Sequence, residues 1–202
     1  MNQLFKGAGV ALCTPFSDGT INEDALAELI EWHIAAGTDA LILAGTTGES
    51  ATLSHEEKLD LFKMGVKLAA GRIQIIAGTG SNNTAETIAL SKEAEAIGVD
   101  GLLLVVPADN KPSQRGLLAH YRAISREVSL PIILYNVPGR TALDMKPETV
   151  IELSFVDNIV ALKEASGDVP RVRQILADSK PGFMVYAGND GYYDRNGVYR
   201  SG

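Results

Sequence analysis

The chain has 202 residues, of which 46% are apolar and 21% charged, and a formal net charge of -7. This length can bury a sizeable core, and the balance is that of an ordinary globular protein. The acidic charge argues against a nucleic-acid surface, because neutralising phosphates needs clustered Lys and Arg.

Two kinds of segment alternate along the chain. Short apolar runs rich in β-branched residues predict seven strands, at residues 8–13, 40–44, 73–77, 101–106, 131–135, 159–163 and 183–187. Segments with helical periodicity lie between them and predict helices at residues 23–36, 56–70, 85–97, 117–128, 147–153 and 169–177. Ser54 followed by Glu57 predicts a capping box at one helix start. Three glycines are expected to end helices: Gly37, Gly71 and Gly98.

Apolar strands joined through helices predict a parallel sheet. The repeat lacks a Gly-x-Gly-x-x-Gly fingerprint at its first turn, which favours an α/β fold of the (β/α)8 TIM-barrel type over a dinucleotide-binding fold. A closed barrel typically needs about 250 residues. We therefore expect an incomplete barrel domain over residues 1–190, truncated after about seven strands. Residues 191–202 are polar, aromatic and Gly-rich, and we interpret them as an atypical tail that arose by truncation, frameshift or rearrangement.

The sequence argues against three features: an intrachain disulfide, a metal site and a membrane-spanning segment. Cys13 is the only cysteine, so it cannot form an intrachain disulfide, and we interpret it as a small buried hydrophobe. The three histidines show no pair at ligand spacing, so we expect no metal. The N-terminus has no apolar h-region, and no uncharged apolar run reaches roughly 18 residues. We therefore expect a cytoplasmic protein without membrane contact.

Polar motifs follow four predicted strands, at the strand ends where this type of barrel places its active site. The glycines of GTTGES (45–50) allow close backbone approach, and the hydroxyls of Thr46 and Thr47 suit a carboxylate. Such a turn is also common as a purely structural feature. The fourth predicted strand is followed by PADNKP (107–112), which by itself indicates only a Pro-bounded turn.

The two remaining motifs contain a tyrosine, an arginine and a lysine. Tyr135 ends the fifth predicted strand, and Arg140 follows in a Pro-Gly segment that suits a carboxylate. Lys163 ends an apolar strand, where desolvation favours the neutral amine that attacks a ketone to form an imine. The alternative interpretations are a core aromatic for Tyr135 and a lysine that reaches solvent for Lys163.

Together the motifs resemble the dihydrodipicolinate synthase family. The resemblance is carried, in order, by GTTGESATL, AGTGSN, NKPSQ, LYNVPGRT and LKEASGD, and it runs from about residue 5 to about residue 190. Arg140 after Tyr-Asn-Val-Pro-Gly favours this synthase over the related N-acetylneuraminate lyase.

The resemblance implies a lyase that condenses pyruvate with L-aspartate 4-semialdehyde to 4-hydroxy-tetrahydrodipicolinate, in lysine and diaminopimelate biosynthesis. Lys163 would form the Schiff base, Tyr135 would donate and accept protons, and Thr46 would relay them. Thr47 would bind the pyruvate carboxylate, Arg140 that of the semialdehyde, and Gly188 would provide a backbone contact. No organic cofactor or metal is implied, because the imine is itself the electron sink.

The resemblance also implies a homodimer or homotetramer with L-lysine as a feedback inhibitor. Positions matching the lysine site are Ser50, Ala51, His55, Asn82 and Glu86. Ala108 and Asp109 depart from the family, which carries two consecutive tyrosines there. Two alternatives therefore stay open: another pyruvate-dependent aldolase or lyase of the superfamily, or a catalytically inactive truncated module.

Overall fold

The computed structural model describes residues 4–189, which form two compact units. The first unit contains the described residues up to Thr79 together with Ala89–Leu103. The second contains Gly80–Ile88 and the described residues from Leu104 onward. Both units are built from parallel strands that alternate with helices.

The strands and helices follow one another in the predicted alternation. The strands are β1 (Gly9–Ala11), β2 (Phe16–Ser17), β3 (Thr20–Ile21), β4 (Ala40–Leu43), β5 (Gln74–Gly78), β6 (Gly101–Val105), β7 (Ile132–Asn136), β8 (Ile159–Glu164) and β9 (Met184–Ala187). The helices are α1 (Glu23–Ala35), α2 (His55–Ala69), α3 (Thr84–Ile97), α4 (Gln114–Ser125), α5 (Pro138–Thr141), α6 (Pro147–Ser154) and α7 (Val169–Asp178). Strand β6 and helix α3 have residues in both units.

In the first unit the strand order is β1-β4-β5-β6, and each neighbouring pair is parallel. All four residues of β4 are buried, as expected for a parallel strand covered by helices. Helices α1 and α2 pack against each other, and α2 also packs on β4 and β5. Their apolar faces contribute Leu26, Ile30, Leu61 and Phe62 to the core.

In the second unit the order is β6-β7-β8-β9, and β8 is parallel to both β7 and β9. Every residue of β7 is buried. Helix α6 packs on α4, α7 and β8, and α7 packs on β9. Strands β7, β8 and β9 therefore end at one edge of this unit.

The predicted alternation of seven strands and six helices is confirmed in residues 4–189. The capping box at the start of α2 is present: Ser54 Oγ accepts from the Glu57 N–H at 3.1 Å, and Glu57 accepts from the Ser54 N–H at 2.7 Å. The glycines expected to end helices have left-handed φ values, 76° at Gly37, 73° at Gly71 and 96° at Gly98. Helix α4 begins three residues before its predicted start, because Ser113 caps it by accepting from the Gly116 N–H.

Three short elements escaped the sequence prediction. Strands β2 and β3 form a small antiparallel hairpin joined by Asp18 (φ 51°) and Gly19 (φ 79°). An Asp-Gly pair suits a two-residue turn with left-handed φ at both positions, so the signal was available. Helix α5 is a single turn, too short to leave a periodic pattern.

The interpretation of Cys13 as a buried residue is wrong. Cys13 is exposed, whereas its neighbours Leu12 and Thr14 are buried. Side chains alternate between opposite faces along an extended segment, and this alternation turns Cys13 outward. Among residues 4–189, none of the helices has both the length and the apolar composition required to cross a membrane.

Candidate active site

Tyr135 and Lys163 lie side by side on neighbouring strands of the second unit. They are register partners in the parallel ladder between β7 and β8, so their side chains project to the same face. The Lys163 Nζ is 4.6 Å from the centroid of the Tyr135 ring, within cation–π range. The structure therefore brings together the two residues on which the Schiff-base prediction depends.

The immediate surroundings of Lys163 are aromatic on both sides. Tyr135 is only 7% exposed, and Lys163 is half-buried. On the other side, Tyr186 of β9 is the register partner of Lys163, and its hydroxyl lies 3.6 Å from the Met184 Sδ. Lys163 is thus the middle residue of a row that crosses three strands.

Gly188 directly follows β9 and is attached to the end of β8. Its N–H donates to the Glu164 carbonyl oxygen at 2.7 Å. A Cβ at this position would lie 2.8 Å from the Cβ of Ala165, so a larger residue would force the two strand ends apart. Gly188 therefore lies one residue beyond β9, with its backbone bonded to the end of the lysine strand β8, and its contact with a substrate stays a prediction.

Arg140 lies on the single turn α5, which follows β7. The turn begins with backbone bonds from Arg140 and Thr141 to the Val137 carbonyl oxygen at 2.9 and 3.1 Å. The Arg140 side chain is exposed and makes no hydrogen bond or ion pair within residues 4–189. A guanidinium in this position can form two parallel bonds to a carboxylate.

A buried polar network, absent from the sequence prediction, lies on the opposite face of β7 and β8. Asn136 Nδ2 donates to Glu164 at 3.1 and 3.2 Å and to Asp144 Oδ1 at 2.9 Å. Arg171 on α7 donates to both Asp144 oxygens, at 2.7 and 2.5 Å. The signal for this network was weak, because Asp144 and Arg171 belong to segments that look like solvated surface.

The two carboxyl groups of the network respond to it differently. Burial raises the pKa of Glu164, against the opposing effect of its hydrogen bonds from Ser166 and Asn136. Burial also acts to raise the pKa of Asp144, but the hydrogen bonds from Arg171 and Asn136 outweigh it, and the pKa lies below its ordinary value. The network thus stabilises the charged form of Asp144, whereas burial makes the charged form of Glu164 less favourable than it is in water.

Thr46 and Thr47 belong to the first unit, in the turn that follows β4. Both are exposed, while Gly48 is buried. The Gly48 carbonyl oxygen accepts from the Thr14 hydroxyl at 2.7 Å, and a Cβ on Gly48 would lie 2.8 Å from the Leu12 carbonyl oxygen. The glycine thus allows the turn to pack closely on the segment after β1, and the two hydroxyls remain on the outside.

The five residues of the predicted lysine site are divided between the units. In the first, Ser50 donates its N–H to the Gly45 carbonyl oxygen at 3.3 Å, Ala51 is exposed, and His55 Nε2 lies 2.7 Å from Glu93 Oε2. In the second, Glu86 is exposed in the first turn of α3.

Asn82, also in the second unit, is tied to the loop that follows β6. Its Nδ2 donates to the Ala108 carbonyl oxygen at 3.2 Å and lies 3.5 Å from Asp109 Oδ2. Its own carbonyl oxygen accepts from Asn110 Nδ2 at 2.9 Å. Asp109 has a left-handed φ of 64°. The two residues that depart from the family pattern therefore contact a residue of the predicted lysine site.

Comparison with known proteins identifies the family. The model of the Dihydrodipicolinate synthetase family matches residues 4–197. The chain belongs to this family. It is 52% identical over 188 residues to the 4-hydroxy-tetrahydrodipicolinate synthase of Thermoanaerobacter sp. (strain X514), and the match covers 93% of this chain and 63% of that protein. The chain thus spans less than two thirds of the length of this curated relative and of others that it matches at similar identity.

Solved family structures agree in fold. Dihydrodipicolinate synthase from Bacillus anthracis gives a TM-score of 0.92 at 43% identity, covering 95% of this chain and 65% of that one. The chloride-inhibited synthase from Acinetobacter baumannii, solved in complex with pyruvate, gives a TM-score of 0.88 at 47% identity. That match covers 91% of this chain and 64% of the other. The synthase from Cyanidioschyzon merolae with lysine bound gives a TM-score of 0.90 at 43% identity, and the match covers 94% of this chain and 65% of the other. The predicted TIM-barrel fold class is confirmed by these matches.

Proposed function

We propose that this chain is a 4-hydroxy-tetrahydrodipicolinate synthase, a lyase that condenses pyruvate with L-aspartate 4-semialdehyde. The observation that carries the proposal is the placement of Lys163 Nζ 4.6 Å from the Tyr135 ring, on paired strands of a chain that belongs to this family. The relatives' names support the reaction, and the pyruvate complex of the Acinetobacter baumannii relative supports the first substrate. The aldolase and inactive-module alternatives gain no support from the relatives' names.

The proposed reaction begins at Lys163. Its amine adds to the C2 carbonyl of pyruvate, and loss of water gives an imine. Removal of a proton from C3 gives an enamine, whose C3 attacks the aldehyde carbon of the semialdehyde while the aldehyde oxygen takes up a proton. The amino group of the former semialdehyde then attacks the imine carbon, closes the ring and releases Lys163. The net change is the two substrates to product and one water.

The remaining residues are proposed to bind the substrates and move protons. Tyr135 lies beside the amine and would donate and accept protons, with Thr46 relaying them. Thr47 would hold the pyruvate carboxylate, and the exposed fork of Arg140 would hold the semialdehyde carboxylate. The Gly188 backbone, attached to the end of β8, would contact the bound ketoacid. The proposal requires no metal or organic cofactor, because the imine withdraws the electrons itself.

L-lysine is the proposed inhibitor, in a cytoplasmic homodimer or homotetramer. The lysine-bound Cyanidioschyzon merolae relative supports this ligand. Ser50, Ala51, His55, Asn82 and Glu86 are its proposed contacts. In this chain His55 already bonds to Glu93, and position 108 carries a methyl group in place of an aromatic ring. We therefore propose that lysine binds this chain weakly.

The test of the proposed function is condensation of the two substrates by the purified chain. The parent chain is expected to consume pyruvate and semialdehyde, and Lys163→Ala to lose this activity by at least about four orders of magnitude, because the covalent route is removed.

Lys180 provides a matched control on the same unit. It is a half-buried lysine whose pKa is lowered by burial, and its Nζ donates to the Val156 and Asp157 carbonyl oxygens. Lys180→Ala is expected to keep the parent activity. A folded parent chain without condensation activity, or equal losses in the two variants, would contradict the proposed function.

A further inference from the structure

Asn136 and Glu164 lie directly behind the reacting pair. Asn136 directly follows Tyr135, and Glu164 directly follows Lys163. Because side chains alternate between the two faces of a strand, Asn136 and Glu164 project to the face opposite the reacting pair. They are register partners themselves, both are 0% exposed, and their side chains are hydrogen-bonded at 3.1 and 3.2 Å. The same pair of strands thus carries the reacting side chains on one face and a closed polar pair on the other.

The Asn136 side chain also closes the segment that carries Arg140. Its Oδ1 accepts from the Met145 N–H at 3.0 Å, and its Nδ2 donates to Asp144 at 2.9 Å. Met145 and Asp144 form the far end of the segment that leaves β7 at Val137. One amide therefore fixes both ends of the loop on which the exposed guanidinium of Arg140 is placed.

Glu164 connects the lysine strand to the next strand end. Its Oε1 accepts from the Ser166 N–H at 2.8 Å, and its main-chain oxygen accepts from the Gly188 N–H at 2.7 Å. Arg171, with a side chain only 9% exposed, binds Asp144 through two bonds, and its Nη1 lies 4.0 Å from Glu164 Oε2. Removing one member of such a buried network leaves the others without partners, so the network favours a single arrangement.

We infer that Asn136 and Glu164 are positioning residues for the imine lysine. They hold β7 and β8 in the register that keeps the Tyr135 ring over Lys163 Nζ, and they anchor the Arg140 segment and the Gly188 backbone to the same point. This inference rests on the proposed function of Lys163 and Tyr135. The two residues act through the strands and do not contact substrate.

The experiment compares Asn136→Ala with a matched control, Asn158→Ala. Asn158 directly precedes β8, at the other end of the same two strands, and its carbonyl oxygen accepts from the Ile132 N–H at 2.7 Å. Its side-chain amide donates to the Ser125 and Val128 carbonyl oxygens at 3.2 and 3.0 Å. Both substitutions remove a partly or fully buried asparagine with several partners, so both are expected to lower the melting temperature. Only Asn136→Ala removes the bonds behind the reacting pair.

Two readouts separate positioning from general stability in the folded full chain. The first is the rate of borohydride trapping of pyruvate on Lys163, which is expected to fall roughly tenfold to a hundredfold in Asn136→Ala, because a misplacement near 1 Å has effects of this size. The second needs no substrate: after reductive ¹³C-methylation, the NMR signal of the Lys163 dimethylamine should show a ring-current shift from Tyr135. That shift should vanish in Asn136→Ala and in Tyr135→Leu, and both readouts should be unchanged in Asn158→Ala.

The two readouts distinguish failure of the positioning role from failure of the proposed function. If Asn136→Ala keeps the parent trapping rate and ring-current shift, or if Asn158→Ala loses them equally, the positioning role is refuted. If the parent chain shows the ring-current shift but traps no pyruvate, the proposed function fails, and the NMR comparison alone still tests positioning. If Asn136→Ala does not fold, Glu164→Gln replaces it, since it keeps the size of the side chain but turns one acceptor into an amide donor. A folded Glu164→Gln with unchanged ring-current shift would also refute the role.

Discussion

His120 shows at the residue scale how burial alone changes an ionisable side chain. The residue lies on α4, is 7% exposed, and its Nδ1 is 2.8 Å from the Thr84 hydroxyl. Its Nε2 is buried and finds no hydrogen-bond partner within residues 4–189. Burial lowers the pKa of His120 from 6.5 to about 4, because a charged imidazolium would lose its hydration there.

This shift predicts a loss of stability on acidification. Below pH 6.5 the unfolded chain takes up a proton at His120, whereas the folded chain remains neutral until the pH falls to about 4. The free energy of unfolding should therefore decline across this window, by up to roughly 3 kcal/mol from this group. Urea unfolding at pH 7, 5.5 and 4.5 measures the effect against His120→Phe, which should lack this component. An identical pH dependence in parent and variant would show that His120 is not held neutral.

At the element scale, the loop after β6 contains the two departures from the family. Asp109 has a left-handed φ and lies beside Asn82, and Lys111 has a left-handed φ of 41° as well. By the family resemblance, a tyrosine at position 109 would complete the proton relay of Tyr135 and Thr46 from a neighbouring subunit. Carboxylates are ordinarily ionised at neutral pH, whereas phenols keep their proton, so a carboxylate cannot take over this role.

Restoring the phenol should therefore raise turnover. We expect Asp109→Tyr to increase kcat at least about tenfold, since general acid–base groups typically contribute 10²–10⁴-fold. The left-handed backbone costs a non-glycine residue about 1–2 kcal/mol, which a folded chain can tolerate. Asp109→Phe is the matched control, because it adds the ring without the hydroxyl. Steady-state kinetics measures kcat for both variants, on chains that light scattering shows to be dimeric. Equal kcat values for Asp109→Tyr and Asp109→Phe would contradict the prediction.

The order of elements was predictable from sequence because it depends on local periodicity, whereas the contacts of the site depend on pairing between distant segments. Position at strand ends pointed to Tyr135 and Lys163, but their mutual register is set by the ladder between β7 and β8. The contact of Arg171 could not be predicted, since its partner Asp144 lies 27 residues away, in the loop between α5 and α6. The start of α4 was misplaced because the cap at Ser113 outweighed the apolar period that begins at Leu117.

At the scale of the whole molecule, the proposed functional residues are divided between two compact units. Thr46 and Thr47 belong to the first, while Tyr135, Lys163 and Gly188 belong to the second. The roles assigned to them stay predictions, as do the domain limits, since residues 191–202 lie outside the described part of the chain. The imine step can be tested apart from condensation, because it needs pyruvate but not the semialdehyde.

The most direct test is to locate the covalent adduct. The chain is incubated with pyruvate, reduced with borohydride and digested, and the modified peptide is identified by mass spectrometry. The proposed function predicts one reduced pyruvate adduct, on the peptide that contains Lys163, and its loss in Lys163→Ala but not in Lys180→Ala. An adduct on another lysine, or none on a folded chain, would contradict the assignment of Lys163 as the imine-forming residue.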